Sequence, residues 1–259
     1  MVWTALYALF RVYLCGESAF ILQDPNKWCF WLKYGKGCFH LYFLLLVLQF
    51  HLVLPLFLPL FRSKLRPVEL VLSACFIQLI IYFLNRKLIH FRYPGTMALW
   101  YIPVLALGMC CGSRFEAFLA FWKRRQGWLL AAAVLGWSLY LPIAYSVRVN
   151  RVGNTLHYAL ATWFYTSVAP ICLFGLAISL SKHSGALSSL LRGLGSKSLQ
   201  IYLLHPAILV GLGRVGFPHN SLGIPAIALL YVGMAVSLSW LLAAGIALTP
   251  VSKHVFGRS

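Results

Sequence analysis

Acidic side chains are almost missing from this sequence. Glu17, Asp24, Glu69 and Glu116 are the only four, set against 22 lysines and arginines. At most Glu17 falls inside an apolar run, so the chain lacks the intramembrane acids that ion-coupled pumps use as relays. That argues against proton-coupled transport without excluding a passive flippase. Metal-ligand spacing is also lacking: Cys15, Cys29, Cys38, Cys75, Cys110, Cys111 and Cys172 are odd in number and lie mostly in apolar runs, where cysteine serves as a small hydrophobe. No metal is expected. Cys29 and Cys38 flank one loop and have the option of pairing in an oxidising compartment. The first apolar stretch has neither a basic leader nor a small-residue cleavage signal, so Val2 to Leu14 does not read as a signal peptide.

Apolar residues, by contrast, are 61% of the 259, and only 10% are charged, too few to clothe a water-soluble globule. The solvent is lipid. A formal charge of +18 would point to nucleic acid in a soluble protein, but here the basic residues fall between the apolar runs, where they act as membrane-edge anchors. No nucleic-acid partner is expected.

The central run is Phe39 to Phe61, uncharged and long enough to cross a bilayer core. Its polar members are His40, Gln49 and His51. The two histidines are eleven residues apart and so return to nearly one helical face, which predicts a helix lying in a bundle and bordering a cavity. The other expected spans are Val2 to Leu22, Val68 to Leu84, Met97 to Gly112, Trp128 to Ser146, Leu156 to Leu180, Ser198 to Val215 and Ile224 to Leu248. In the first of these, Arg11 and Glu17 need partners. The segments Gln23 to Cys38, Ser113 to Gln126 and Lys182 to Lys197 read as loops, from turn residues, basic clusters and Gly/Ser content. The expectation is an all-α polytopic membrane bundle of about eight transmembrane helices, one domain over 1–259.

Lys and Arg number 12 on the loops at 62–67, 113–126 and 182–197 plus the tail, against 9 on the alternate set. The bias puts the first set inside, with a cytoplasmic C-terminus and His40 at the outer face. Prolines inside helices leave the carbonyl four residues earlier without its N–H: Pro55 frees His51, Pro103 frees Leu99, Pro142 frees Ser138, Pro170 frees Thr166 and Pro206 frees Tyr202. Imidazole and freed backbone therefore meet at His51 and at His205-Pro206. These features serve either a functional lining or a kinked helix that satisfies itself.

The strings Phe39-His40-Leu41-Tyr42-Phe43-Leu44, Leu48-Gln49-Phe50 and Lys197-Ser198-Leu199-Gln200-Ile201-Tyr202-Leu203-Leu204-His205-Pro206 resemble the acyltransferase 3 family of integral membrane acyltransferases. Leu105 to Gly112 also resembles a short Gly-containing helix of that family. The resemblance implies transfer of an acyl group, commonly acetyl from cytoplasmic acetyl-CoA, to a sugar hydroxyl of a surface polysaccharide at the cell membrane. It further implies two preceding helices, the first ending in a histidine, so the chain reads as an amino-terminally truncated member. His51 stands where the family more often has an aromatic. Transfer to a hydroxyl needs a base, and imidazole is best poised for that near neutral pH. His40 and His205 are the catalytic candidates, each with the alternative of positioning the acceptor or of anchoring a helix. Tyr42, Gln49, His51 and Tyr202 are the candidate substrate-binding residues. Arg62, Arg66 and Arg124 are the candidates for the donor's phosphates, although membrane-edge anchoring explains the same residues. Membrane lipid and a surface glycan are the expected partners, with a glycan flippase or a non-catalytic membrane subunit as the alternative function.

Overall fold

The computed structural model describes residues 2–62, 65–149, 155–215 and 224–257, and these contain helices and turns but no strand. The all-α reading holds. Eleven α-helices follow in order: α1 (Val2–Tyr13), α2 (Pro25–Tyr34), α3 (Tyr42–Arg62), α4 (Pro67–Leu84), α5 (Ile102–Ser113), α6 (Phe115–Val149), α7 (Thr155–Ser181), α8 (Ala186–Ser196), α9 (Ser198–Val215), α10 (Ile224–Ala247) and α11 (Ser252–Val255).

Among the described residues, six helical stretches are long and apolar enough to cross a membrane: Tyr42–Phe61, Pro67–Ile89, Phe115–Val147, Thr155–Ser181, Ser198–Val215 and Ala226–Ala247. The expected eight included two that come out shorter. α1 stops at Tyr13, because Gly16 takes a left-handed turn (φ +71°) that a continuing helix would not allow. Arg11 and Glu17 then meet across this turn at 2.8 Å, which supplies the partners their sequence setting demanded. The run from Met97 is divided into a 3-10 turn over Ala98–Tyr101 and the twelve-residue α5. Pro103 accordingly sits in the first turn of α5, where a missing N–H costs nothing, rather than inside a helix freeing Leu99.

Three expected loops are helical. Asp24 caps α2 by accepting from the Asn26 N–H at 2.9 Å, Pro25 opens it and Gly35 closes it with φ +62°. Ser113 to Gln126 holds neither glycine nor proline and contains several good helix formers, so it joins the following span to make the 35-residue α6. α8 lies within Lys182 to Lys197, with its leucines recurring at helical spacing despite three glycines nearby.

The fold has two compact units, Met1–Leu45 with Gly185–Ser259, and Leu46–Ser184. In the second, α6 and α7 pack closely because small residues admit large ones. A Cβ on Gly175 would fall 2.2 Å from the Trp122 ring, and one on Gly136 would lie 3.2 Å from Phe164. The Trp122 indole N–H donates to Ser179 Oγ at 3.1 Å. Phe61, Leu70, Ala74, Ala106 and Cys110 form an adjoining core. On α3, Leu48, Leu52 and Leu56 make an exposed stripe at helical spacing, an apolar face suited to lipid.

The first unit is built on Tyr7, Leu41 and Leu203, with Trp3, Phe10, Cys38, Tyr202 and Phe256 around them. Trp3 stacks on Phe256 and donates its indole N–H to the Val255 carbonyl at 2.8 Å, which ties α1 to the chain's last described turn. α9 and α10 pack side by side in this unit.

Candidate functional site

His205 occupies the second turn of α9, and its neighbour Pro206 has no N–H to give the Tyr202 carbonyl. The His205 ring fills that place: Nδ1 lies 2.7 Å from the Tyr202 oxygen. A carbonyl only accepts, so Nδ1 carries the proton and Nε2 keeps its lone pair. The tautomer is thereby fixed by the helix itself. This is the chemistry a general base requires.

One residue further on, the Leu203 carbonyl accepts from Tyr7 Oη at 2.7 Å. Tyr202 in turn donates its phenol to the carbonyl of His40. Two hydrogen bonds thus connect α1, α9 and the turn before α3. Gly35 permits that turn to sit close: its own Cβ would collide with Tyr42 Cα at 2.4 Å.

His40 stands in this turn, two residues before α3, and not on a helical face shared with His51 as the eleven-residue spacing implied. Its ring centroid is 5.0 Å from that of Tyr7, 5.2 Å from Tyr202 and 5.7 Å from His205. The residue is 4% exposed, yet neither ring nitrogen has a hydrogen-bond partner among the described residues. A buried imidazole without partners is costly in a purely structural role. Burial, and then the neighbouring His205, push its pKa down to about 4, so the ring is neutral at physiological pH.

The remaining sequence candidates are placed as follows. Tyr42 opens α3, half-buried beside Gly35. Gln49 spans a turn of the second unit: its amide donates to the Thr96 carbonyl at 3.1 Å and accepts from the Ala98 N–H at 2.8 Å. His51 is exposed and bonds the Val47 carbonyl of its own helix at 2.8 Å, which differs from the cavity-facing position that its polarity suggested. Arg66 precedes α4 and Arg124 lies on α6, both exposed. The side chain of Arg62 and the whole of Lys64 are outside the described residues. No group of three or more potential metal ligands occurs among the described residues. Tyr7 was not singled out by sequence, since nothing in a hydrophobic helix tells which tyrosine will reach a carbonyl 196 residues away.

A cavity of about 500 Å³ opens beside His205, along α9 and α10, with Ser198, Ile201, Tyr202, His205, Val232 and Val236 among its lining. Its size is that of a ligand site. An oriented base, a neutral imidazole without partners and an adjacent cavity suit transfer of a group to a hydroxyl. A family model described as an acyltransferase domain matches residues 1–244. The chain belongs to the acyltransferase 3 family. No curated protein and no solved structure matches it. The match covers the second unit, most of the first and both histidines of the pair, so the histidines lie within the acyltransferase domain.

Proposed function

We propose that this acyltransferase moves an acyl group, acetyl from cytoplasmic acetyl-CoA in the first instance, to a hydroxyl of a surface polysaccharide sugar. The observation that carries the reading is the His205 tautomer, held by the carbonyl that Pro206 leaves open, within an acyltransferase family member. Nε2 takes the proton of the sugar hydroxyl while the oxygen bonds the thioester carbonyl carbon. Collapse of the tetrahedral adduct breaks the carbon–sulfur bond, and the proton passes from Nε2 to the leaving thiolate. The unpartnered nitrogens of His40 hold the acceptor or the adduct by hydrogen bonds. The basic bias of the loops supports a cell membrane setting with the C-terminus cytoplasmic.

The test is transfer of radiolabelled acetyl from acetyl-CoA to surface glycan, in membranes carrying the full chain or its His205→Ala variant. Label in the glycan that falls by about 10²-fold or more in the variant is the expected result. Equal labelling with both would overturn the assignment of the base. Glycan delivered to the outer side without any acyl group would instead identify a flippase.

A further inference from the structure

Tyr202 engages both histidines of the pair, and it does so through two different groups. Its backbone carbonyl, left open by Pro206, accepts the His205 Nδ1–H at 2.7 Å. Its phenol donates to the His40 carbonyl. That carbonyl also accepts the Phe43 N–H at 3.1 Å, in the turn that leads into α3, so both of its lone pairs are in use. The Tyr202 ring lies 5.2 Å from the His40 ring and 5.8 Å from that of His205, centroid to centroid. All of these residues belong to the first unit.

A tyrosine beside a cavity is a natural ligand contact, and Tyr202 does line the cavity next to His205. Its hydroxyl points to a different task. A phenol has one proton to donate, and this one is given to a carbonyl of the chain itself. Tyr7, the other tyrosine packed on His40, also gives its phenol to backbone, at the Leu203 carbonyl. The two bonds differ in what they join. That of Tyr7 ties α1 to α9, whereas that of Tyr202 ties α9 to the turn that carries His40. Because His40 precedes α3, no helical ladder of its own fixes its distance from His205.

We propose that Tyr202 is a positioning residue that sets the spacing of the two imidazoles, orienting His205 with its carbonyl and holding the His40 turn with its hydroxyl. The chemical consequence rests on the acyltransferase reading given above. In that reading Nε2 of His205 and the nitrogens of His40 act on one adduct, so a loosened turn is felt in the chemical step. Acceptor affinity stays near its parent value, since the phenol is not itself a substrate contact.

The experiment compares membranes carrying the full chain, its Tyr202→Phe variant and a Tyr202→4-aminophenylalanine variant, which restores a donor at the same reach. Diethyl pyrocarbonate modifies accessible imidazole nitrogens, and the modified histidines are mapped by mass spectrometry with the exposed His183 as internal reference. His40, protected in the parent, should label several-fold faster in Tyr202→Phe and slowly again once the donor is restored, with His183 unchanged. In the same membranes kcat for acyl transfer should fall about tenfold in Tyr202→Phe, with the acceptor KM within about twofold of the parent, and should recover with the restored donor. A His40 labelling rate that Tyr202→Phe does not move overturns the inference. So does a raised KM with kcat intact, which would make the phenol a substrate contact. Absence of acyl transfer in the parent would overturn the acyltransferase reading instead, and the labelling of His40 would still decide its link to Tyr202. If Tyr202→Phe does not fold, the parent decides: His40 labelled as fast as His183 would mean that the turn is not held, and the inference falls.

Discussion

The His205 ring and the Tyr202 carbonyl, 2.7 Å apart, form a hydrogen bond that exists because residue 206 is a proline. In an uninterrupted helix the carbonyl would already be taken by a backbone N–H, and the imidazole would compete for a second lone pair. Here the side chain replaces the missing donor. One residue change thus frees an acceptor, satisfies it and orients the proposed base.

Pro206→Ala restores the N–H at that position. The Tyr202 carbonyl then receives its helical partner, and His205 loses the exclusive bond that fixes its tautomer. Acyl transfer should fall about tenfold or more, since the proposed base would lose its fixed orientation. The thermal midpoint should hold or rise, because an interior proline is unfavourable in a helix by about 3 kcal/mol in water. A drop in stability with activity intact would refute this coupling.

His205→Asn separates orientation from proton transfer. The Asn amide nitrogen stands near the position of Nδ1 and still donates to Tyr202, but nothing replaces Nε2. Stability in detergent should match the parent while acyl transfer falls by about 10²-fold to 10⁴-fold. If activity survives, the base is elsewhere, with His40 the next group to replace.

Gly175→Ala tests the packing of α6 on α7. The new methyl would lie 2.2 Å from the Trp122 ring, which is buried and held by Ser179 at 3.1 Å. Overpacking of this kind costs about 1–3 kcal/mol, and it should appear as a lowered melting temperature. Combining it with Trp122→Leu should recover part of the loss, a coupling measurable in a double-mutant cycle. Strict additivity would mean that the two side chains do not meet.

Much of this was legible in the residues. The uncharged run after Tyr42, the pairing need of Arg11 and Glu17, and the carbonyl freed by Pro206 all follow from local rules of length, charge and missing donors. Whatever depended on continuation was not. Basic clusters read as loops, yet Lys123, Arg124 and Arg125 ride on the exposed side of α6, because charge at a membrane edge does not stop a helix. The same weakness put His40 inside a helix that begins only at Tyr42. Its neighbours Tyr7 and Tyr202 come from opposite ends of the chain, and no spacing rule reaches that far.

His40 gives the fold a dependence on pH. The ring is buried without partners, and burial together with His205 lowers its pKa to about 4, against about 6.5 in an unfolded chain. Between these values the unfolded state binds the proton and the folded state does not. Stability is therefore complete above about pH 6.5 and declines as pH falls toward 4, by about 3 kcal/mol at most for this one group. His40→Phe removes the titration and the unpaired nitrogens while keeping an aromatic against Tyr7 and Tyr202. Melting temperatures at pH 7.5 and pH 5 should differ clearly in the parent and much less in the variant, and an equal acid shift in both would place the sensitive group elsewhere. The variant should also lose acyl transfer at neutral pH if the His40 nitrogens hold substrate, which separates their chemical role from their structural cost.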